Sequence, residues 1–249
     1  MQYSEDLEYQ GENKAFNSTV YKEDNNAMTY LNPRIGFIRK VYGILSCQLL
    51  LTVLMCVLAM ASTSYFQFML SSVGLAFLIL ACVMSFIISI ALSCCPHIGR
   101  KVPTNYILLT IFTLCEGYIV SYVCGMSSPK IVFMAAIMTL GITVSLTLYA
   151  MTTKEDFTYC GGMLFICAMA MLLVGLFLMF TNNPVAHIIY SAFGVVLYGI
   201  YLIYDTQLIM GNKQHELTVD DYILGALFIY LDIILIFLYI LDILNRLKD

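Results

Sequence analysis

The chain has 249 residues, of which 61% are hydrophobic and only 11% charged, with a formal net charge of −4 and a mean hydropathy of +0.86. A soluble domain carries about 25% charged residues, so this composition excludes one and implies a polytopic membrane protein. The negative charge is concentrated near the start, where Glu5, Asp6, Glu8, Glu12, Glu23 and Asp24 face only Lys14 and Lys22, which argues against nucleic acid as a partner.

Residues 1–31 are polar and lack helical periodicity, so a disordered acidic tail is expected there. They contain no charged stretch followed by a short apolar run and a cleavage site, so the first span is expected to serve as its own insertion signal. Residues 32–249 are expected to form one transmembrane domain. Asn32 and Pro33 open a helix whose first turns carry Arg34, Arg39 and Lys40 before an apolar run over 41–61. Further runs follow at about 71–95, 104–124, 129–151, 158–180, 185–210 and 218–245. Each is near the roughly 20 residues needed to cross a bilayer, which predicts an all-α bundle of seven transmembrane helices.

Basic residues near the span ends orient such a bundle. Arg34, Arg39, Lys40, Arg100, Lys101, Lys154 and Lys213 fall on one side, and Lys130, Arg246 and Lys248 on the other. A cytosolic N-terminus is therefore expected, and the glycosylation acceptor Asn17-Ser18-Thr19 is expected to be unused. Two of the three dissenting charges lie at the C-terminus, which leaves open a last segment that re-enters the membrane. Trp is absent, so the 18 tyrosines must supply any aromatic belt.

The nine cysteines mostly fall within apolar runs, without the paired loop spacing of a disulfide framework, and read as small buried hydrophobes. Cys94 and Cys95, followed by His97 at a span end, could take an acyl chain or a metal, but a second pair of metal ligands is missing. Gly74, Ser85, Ser89, Gly141, Thr143, Ser145, Gly161 and Gly162 suit close helix packing within the spans. No internal repeat supports an inverted-repeat transporter.

Three acids lie inside apolar runs. A carboxylate at membrane depth costs roughly 2.5 to 3.5 kcal/mol even on the gentler insertion scale, so these are the first candidates for function. On the sixth span Gly194, Tyr198, Tyr201 and Asp205 share one helical stripe; on the seventh Gly225, Phe228, Asp232, Leu235 and Tyr239 do the same. A short turn between the spans makes them antiparallel neighbours, with Thr218 expected as N-cap, Asp221 at the N3 position, and Leu217 and Tyr222 as a hydrophobic staple. Asp205 and Asp232 can then face each other. Their distances from the turn differ by more than about 10 Å at 1.5 Å per residue, a gap that closes if the sixth helix runs past Met210 or the seventh starts in the interface. With no Lys or Arg in mid-span, the two carboxylates must share a proton, bind a cation such as Ca²⁺ or find a basic residue at a span end; the first two outcomes make them pH-responsive. Neutral acids that merely bond neighbouring helices are the bland alternative. Glu116 lies on a stripe with Thr110, Thr113 and Gly117 and could line the same pathway or bond a neighbouring helix. Asp242 and His187 lie near span ends, where water reaches them.

Four segments carry a family likeness: the run from Phe37 to Leu49, the run from Phe112 to Gly117, the run from Ile203 to Gln207, and the run from Tyr230 to Ile234 with Phe237 and Leu238. Together they resemble the transmembrane BAX inhibitor motif family, and more closely its Lifeguard and Golgi anti-apoptotic branch. The resemblance covers residues 33–249. It implies a seven-helix bundle with the C-terminal helix at the centre, wrapped by the other six. It also implies a pH-sensitive Ca²⁺ leak in endomembranes, Golgi or endoplasmic reticulum, that suppresses cell death through apoptosis-regulating membrane proteins or Ca²⁺ flux. On this resemblance Asp205 and Asp232 form the pore gate and transient Ca²⁺ site, with no cofactor beyond the permeant ion; Glu116, Tyr198 and Tyr201, read from their own stripes, are possible pore-lining residues. The chain departs from relatives in having Thr218-Val-Asp-Asp-Tyr before the last span and Leu235 where an Asn is common, which removes a possible polar support for Asp232.

An intramembrane aspartyl protease also uses one aspartate from each of two adjacent spans, but it expects Gly-x-Gly-Asp where this chain has Ile229, Tyr230, Leu231 and Asp232. The chain is therefore expected not to be an enzyme. A seven-helix receptor is disfavoured by the absence of Asp-Arg-Tyr and Asn-Pro-x-x-Tyr motifs. A proton-coupled cation carrier and a non-conducting membrane regulator of cell-death proteins stay open as alternatives.

Overall fold

The computed structural model describes residues 33–181, 183–211 and 213–248; the expected acidic tail and Asn17 lie outside them. Nine α-helices and one 3₁₀ turn, with no strand, occupy the described residues. They are α1 (Pro33–Ala61), α2 (Thr63–Leu70), α3 (Ser72–Cys94), α4 (Pro96–Arg100), α5 (Thr104–Met126), α6 (Pro129–Thr152), the 3₁₀ turn Phe157–Cys160, α7 (Gly161–Leu178), α8 (Pro184–Met210) and α9 (Tyr222–Arg246). Seven of these, α2 and α4 excepted, are long and apolar enough to cross a membrane, counting the 3₁₀ turn with α7. The chain is a multi-pass membrane protein.

Local chemistry sets the helix boundaries. Pro33, Pro129 and Pro184 sit at first-turn positions, where a missing N–H costs nothing. Asn183 Oδ1 accepts from the N–H groups of Val185 (3.0 Å) and Ala186 (3.4 Å) to cap α8, and Ser71 Oγ accepts from Gly74 N–H to cap α3. The short helices α2 and α4 lie at the two ends of α3, and hydrophobic periodicity predicts neither. Pro96 opens α4 and Ser62 caps α2.

Large apolar side chains such as Phe77, Phe86, Phe133, Phe165 and Phe177 are exposed along the long helices. So much uncovered apolar surface suits lipid as the surrounding medium and not water. The described spans differ in how far they are enclosed: 56% of the apolar window of α9 is buried, against 11% for the α7 span. α9 packs most extensively on α8 and also touches α3, α4, α5 and α6. It meets α1 through Gly225 beside Val41 and the Tyr230 hydroxyl bonded to Thr52 (2.8 Å).

Some of the small residues singled out for close packing do pack closely. A Cβ on Gly161 would lie 2.7 Å from the Tyr204 hydroxyl, so α7 approaches α8 through that notch. Gly141 and Gly162 instead have open space where a Cβ would go, and the Ser89 and Ser145 hydroxyls donate to carbonyls of their own helix.

The two ends of the bundle are distinct. At one end, residues 96–101, 153–160 and 213–221 meet: Arg100 grips Asp221 and Lys213 donates to the carbonyls of Thr153, Lys154 and Glu155. At the other, Asn245 donates to the Ser127 hydroxyl (2.8 Å) between α5 and α6, and Arg246 pairs with Asp242. α9 therefore runs from one end of the bundle to the other over its described length.

Candidate functional site

α8 and α9 are antiparallel, and two contacts fix their register. A Cβ on Gly225 would lie 3.3 Å from Ile209 Cγ1, and a Cβ on Gly194 would press on the Tyr239 ring. From the Ile209–Gly225 level, Asp205 is four residues along α8 and Asp232 seven along α9, about 6 and 10 Å at 1.5 Å per residue. The expected depth mismatch thus falls to about 4 Å, and side-chain direction closes the rest. Each Cα–Cβ bond tilts towards the N-terminus of its own helix. Asp205 therefore leans away from the connection between the helices, Asp232 leans towards it, and the two converge.

A sixth helix running past Met210 is not the route to this match. α8 stops at Met210, where Gly211 takes φ +74°, and the Leu217 N–H donates back to the Leu208 carbonyl (3.0 Å). The connection doubles back along the last turn of α8, and α9 starts only at Tyr222, which takes about 6 Å off the depth expected for Asp232 at 1.5 Å per residue. The capping expectation also needs correction, because α9 begins at Tyr222 with Asp221 as its N-cap residue. The Thr218 hydroxyl donates to Asp221 Oδ2 (2.5 Å), while the Asp221 N–H goes to the Thr218 carbonyl. Arg100 donates to the Asp221 carboxylate and also to the Thr218 hydroxyl oxygen (3.1 Å), so that oxygen is engaged by Arg100 and does not cap the helix.

Asp205 and Asp232 are 6% and 3% exposed, and their carboxyl groups lie within hydrogen-bonding reach of each other. Asp232 Oδ2 is buried and receives no donor from the rest of the described protein; Leu235, one turn further on, has none to give. No ion pair reaches either acid among the described residues. Two facing carboxylates without a cationic partner cannot both stay charged at low cost, so the site is chemically suited to hold a proton or a cation. Two carboxylates supply only a fraction of the 6 to 8 oxygen ligands typical of Ca²⁺, and the described residues contain no cluster of three His, Cys, Asp or Glu. Any such cation would keep much of its water.

Tyr198 and Tyr201 sit beside this pair, Tyr198 within the field of Asp232 and Tyr201 within that of both acids. Their rings stack at 5.6 Å, and Tyr198 stacks on Tyr239 at 5.8 Å. Tyr239 meets Tyr190 edge-on at 5.7 Å. The aromatic column leads from the acids towards the end where Ser191 donates to Asp242 (2.6 Å).

Glu116 goes elsewhere. Its carboxyl lies within reach of Ser85 on α3, near Tyr230, and no interaction among the described residues joins it to Asp205 or Asp232. Tyr230 and Asp232, two residues apart, project from different faces of α9. Tyr230 meets a second polar group in which Thr52 bonds Tyr230 and Gln48 donates to Thr113 (3.0 Å). The Thr110 and Thr113 hydroxyls of the expected polar stripe are bonded to their own helix.

Arg34, an orientation charge on the sequence reading, has a buried side chain. Nη2 donates to the Leu208 carbonyl (2.7 Å) and Nη1 to the Leu217 carbonyl (2.5 Å), with Glu216 at 4.0 Å. A sequence signal was available: Arg34, Phe37, Val41, Leu45, Gln48 and Thr52 follow one another at three- and four-residue steps, and all are buried. Arg34 lies on the inward stripe, whereas Arg39 and Lys40 are exposed.

A family model described as inhibitor of apoptosis-promoting Bax1 matches residues 34–249. Protein lifeguard 3 of Homo sapiens is 36% identical over 217 residues, covering 85% of this chain and 69% of that protein. Protein lifeguard 3 of Mus musculus is 34% identical over 213 residues, covering 84% and 68%. A BI1-like protein of Arabidopsis thaliana is 36% identical over 218 residues, covering 86% and 81%.

Proposed function

Since the chain belongs to the family of inhibitors of apoptosis-promoting Bax1, membrane proteins linked to apoptosis regulation, we propose that it is a pH-sensitive Ca²⁺ leak channel of endomembranes that suppresses apoptosis. Asp205 and Asp232 form its gate. The N-terminus faces the cytosol, as the excess of basic residues at that end of the spans favours. The observation that carries this reading is the meeting of two buried carboxyls from adjacent spans with no cationic partner among the described residues.

The gate has a defined sign. When both acids have lost their protons, the pair repels itself and attracts a divalent cation; when a proton is shared, the two carboxyls bond each other and hold α8 against α9. Acid therefore closes the leak through this element. Tyr198 and Tyr201 continue the path beside the pair, and their hydroxyl and ring faces suit a partly hydrated cation.

The test is Ca²⁺ flux through purified protein in liposomes, with Asp205→Asn and Asp232→Asn as variants. A leak passes Ca²⁺ down its gradient unaided. Flux that requires a counter-gradient of protons would identify a proton-coupled carrier, and absence of flux at every pH would leave a non-conducting regulator.

A further inference from the structure

We infer that Arg34 is the positioning residue of the aspartate pair, setting the register between α8 and α9 that brings Asp205 and Asp232 together; this rests on the reading of that pair as the gate. The contacts of Gly225 with Ile209 and of Gly194 with Tyr239 hold this register along the helices, and Arg34 anchors the connection that holds it at the end nearer the acids. It lies in the first turn of α1, far in sequence from both acids. Its guanidinium spans the point where the connection folds back, donating to Leu208 on α8 and to Leu217 on the returning segment. The same Leu208 carbonyl accepts from the Leu217 N–H.

This arrangement answers a specific need. The last carbonyls of a helix have no intrahelical donor, and a buried helix end is stable only if something else supplies one. A cation is the favoured group because the helix C-terminus carries partial negative charge. The planar fork of Arg reaches two carbonyls at once, which the single ammonium of Lys cannot match.

The surroundings leave little slack. Arg34 is 4% exposed, and its guanidinium lies over the Phe37 ring at 5.0 Å. Gly211 adopts φ +74°, and a Cβ there would come within 2.9 Å of Arg34 and 2.6 Å of Glu216, so the turn closes directly on the guanidinium. Glu216 is the acidic group facing Arg34. The groups facing the aspartates are each other and Tyr198, Tyr201 and Tyr204 of α8. If the fold-back loosens, the connection end of α9 loses a restraint against α8, and a shift of one residue there, about 1.5 Å, is enough to pull these short carboxyl side chains away from each other.

The experiment combines hydrogen exchange of residues 211–221 in the purified full chain with the pH profile of Ca²⁺ flux in liposomes, for Arg34→Lys and Arg34→Ala. Arg39→Ala removes an exposed charge from the same helix and serves as control, and Asp205→Asn reports on the gate. The expected result is exchange about tenfold faster or more in both Arg34 variants, the size of losing a charge-assisted hydrogen bond, together with a displaced or flattened pH profile. The control should change neither. If Arg34→Ala fails to fold, Arg34→Lys decides. Unchanged exchange in Arg34→Lys overturns the inference. So does faster exchange with a wild-type pH profile while Asp205→Asn alters it, because Arg34 would then only hold the connection. If Asp205→Asn itself keeps the wild-type profile, the gate reading fails and the positioning role falls with it, whatever the exchange shows.

Discussion

Gly194 of α8 lies against the ring of Tyr239 of α9, and a Cβ at Gly194 would come within 2.6 to 2.7 Å of three ring carbons. The ring is held between Tyr198 and Tyr190, so it cannot swing aside cheaply. Gly194→Ala is therefore expected to destabilise the protein by about 1 to 3 kcal/mol, the usual cost of overpacking a filled interface. Thermal unfolding in detergent checks this, and an unchanged midpoint would show that the column is looser than its stacking geometry implies.

Glu116 is expected to act apart from the aspartate gate. Its carboxyl reaches Ser85 on α3, on a different side of α9 from Asp232. Glu116→Gln should therefore leave the pH profile of flux in place, and any loss should appear as reduced stability of the α3–α5 contact. A profile altered as strongly as by Asp205→Asn would restore the single shared pathway that the sequence suggested.

The seven spans were legible in the sequence because lipid demands long apolar runs with internally bonded backbones. Glycine and tyrosine spacing likewise told which faces of α8 and α9 meet. What could not be read was the connection. Residues 213–221 owe their path to bonds from Arg34, Arg100 and the 153–160 segment, all distant in sequence, and local rules gave Thr218 a capping role that Arg100 and Asp221 override. Since the connection sets the relative depth of Asp205 and Asp232, periodicity could place both acids on facing stripes but not at the same level. For a related reason the sequence left two readings of Glu116 open, since a hydroxyl stripe looks the same whether it lines a path or bonds its own helix.

Asp221 gives a pH prediction of opposite character to the gate. Burial raises its carboxyl pKa, but the bonds from Arg100 and Thr218 outweigh this and hold it below the usual carboxylate value. A group with a depressed folded pKa contributes stability that is present above its unfolded value and lost as pH falls through the folded one. The destabilisation caused by Asp221→Asn should therefore be constant over roughly pH 5 to 8 and shrink only below about pH 4. Thermal unfolding of the two proteins against pH measures it. A difference that changes between pH 5 and 8 would mean that this ion pair contributes to the pH response of the protein.

The N-terminus is expected in the cytosol, given the basic residues gathered at the end of the bundle where Arg34, Arg100 and Lys213 anchor the loops. Glycosylation mapping in a eukaryotic membrane checks this directly, because Asn17 would be modified only if that end faced the lumen. A glycosylated Asn17 would reverse the orientation and place the connection clasp on the luminal side.

The aspartate pair carries the last prediction. Asp205 and Asp232 lean towards each other from antiparallel helices, with one Asp232 oxygen left without a donor, so a single proton governs whether they attract or repel. Two coupled carboxyls release their protons in two steps that belong to the pair and not to either residue. Replacing either by Asn removes the like charge and with it the coupling. Ca²⁺ flux in liposomes, titrated across roughly pH 4 to 8 to contain both steps, should fall with acidification in the wild type and respond far less in Asp205→Asn and Asp232→Asn. An amide can donate to the remaining carboxylate at every pH, so the variants should hold α8 against α9 without a titrating switch and show lower flux at neutral pH. If both keep the wild-type profile, the acids only join α8 to α9, and the pH response must originate elsewhere.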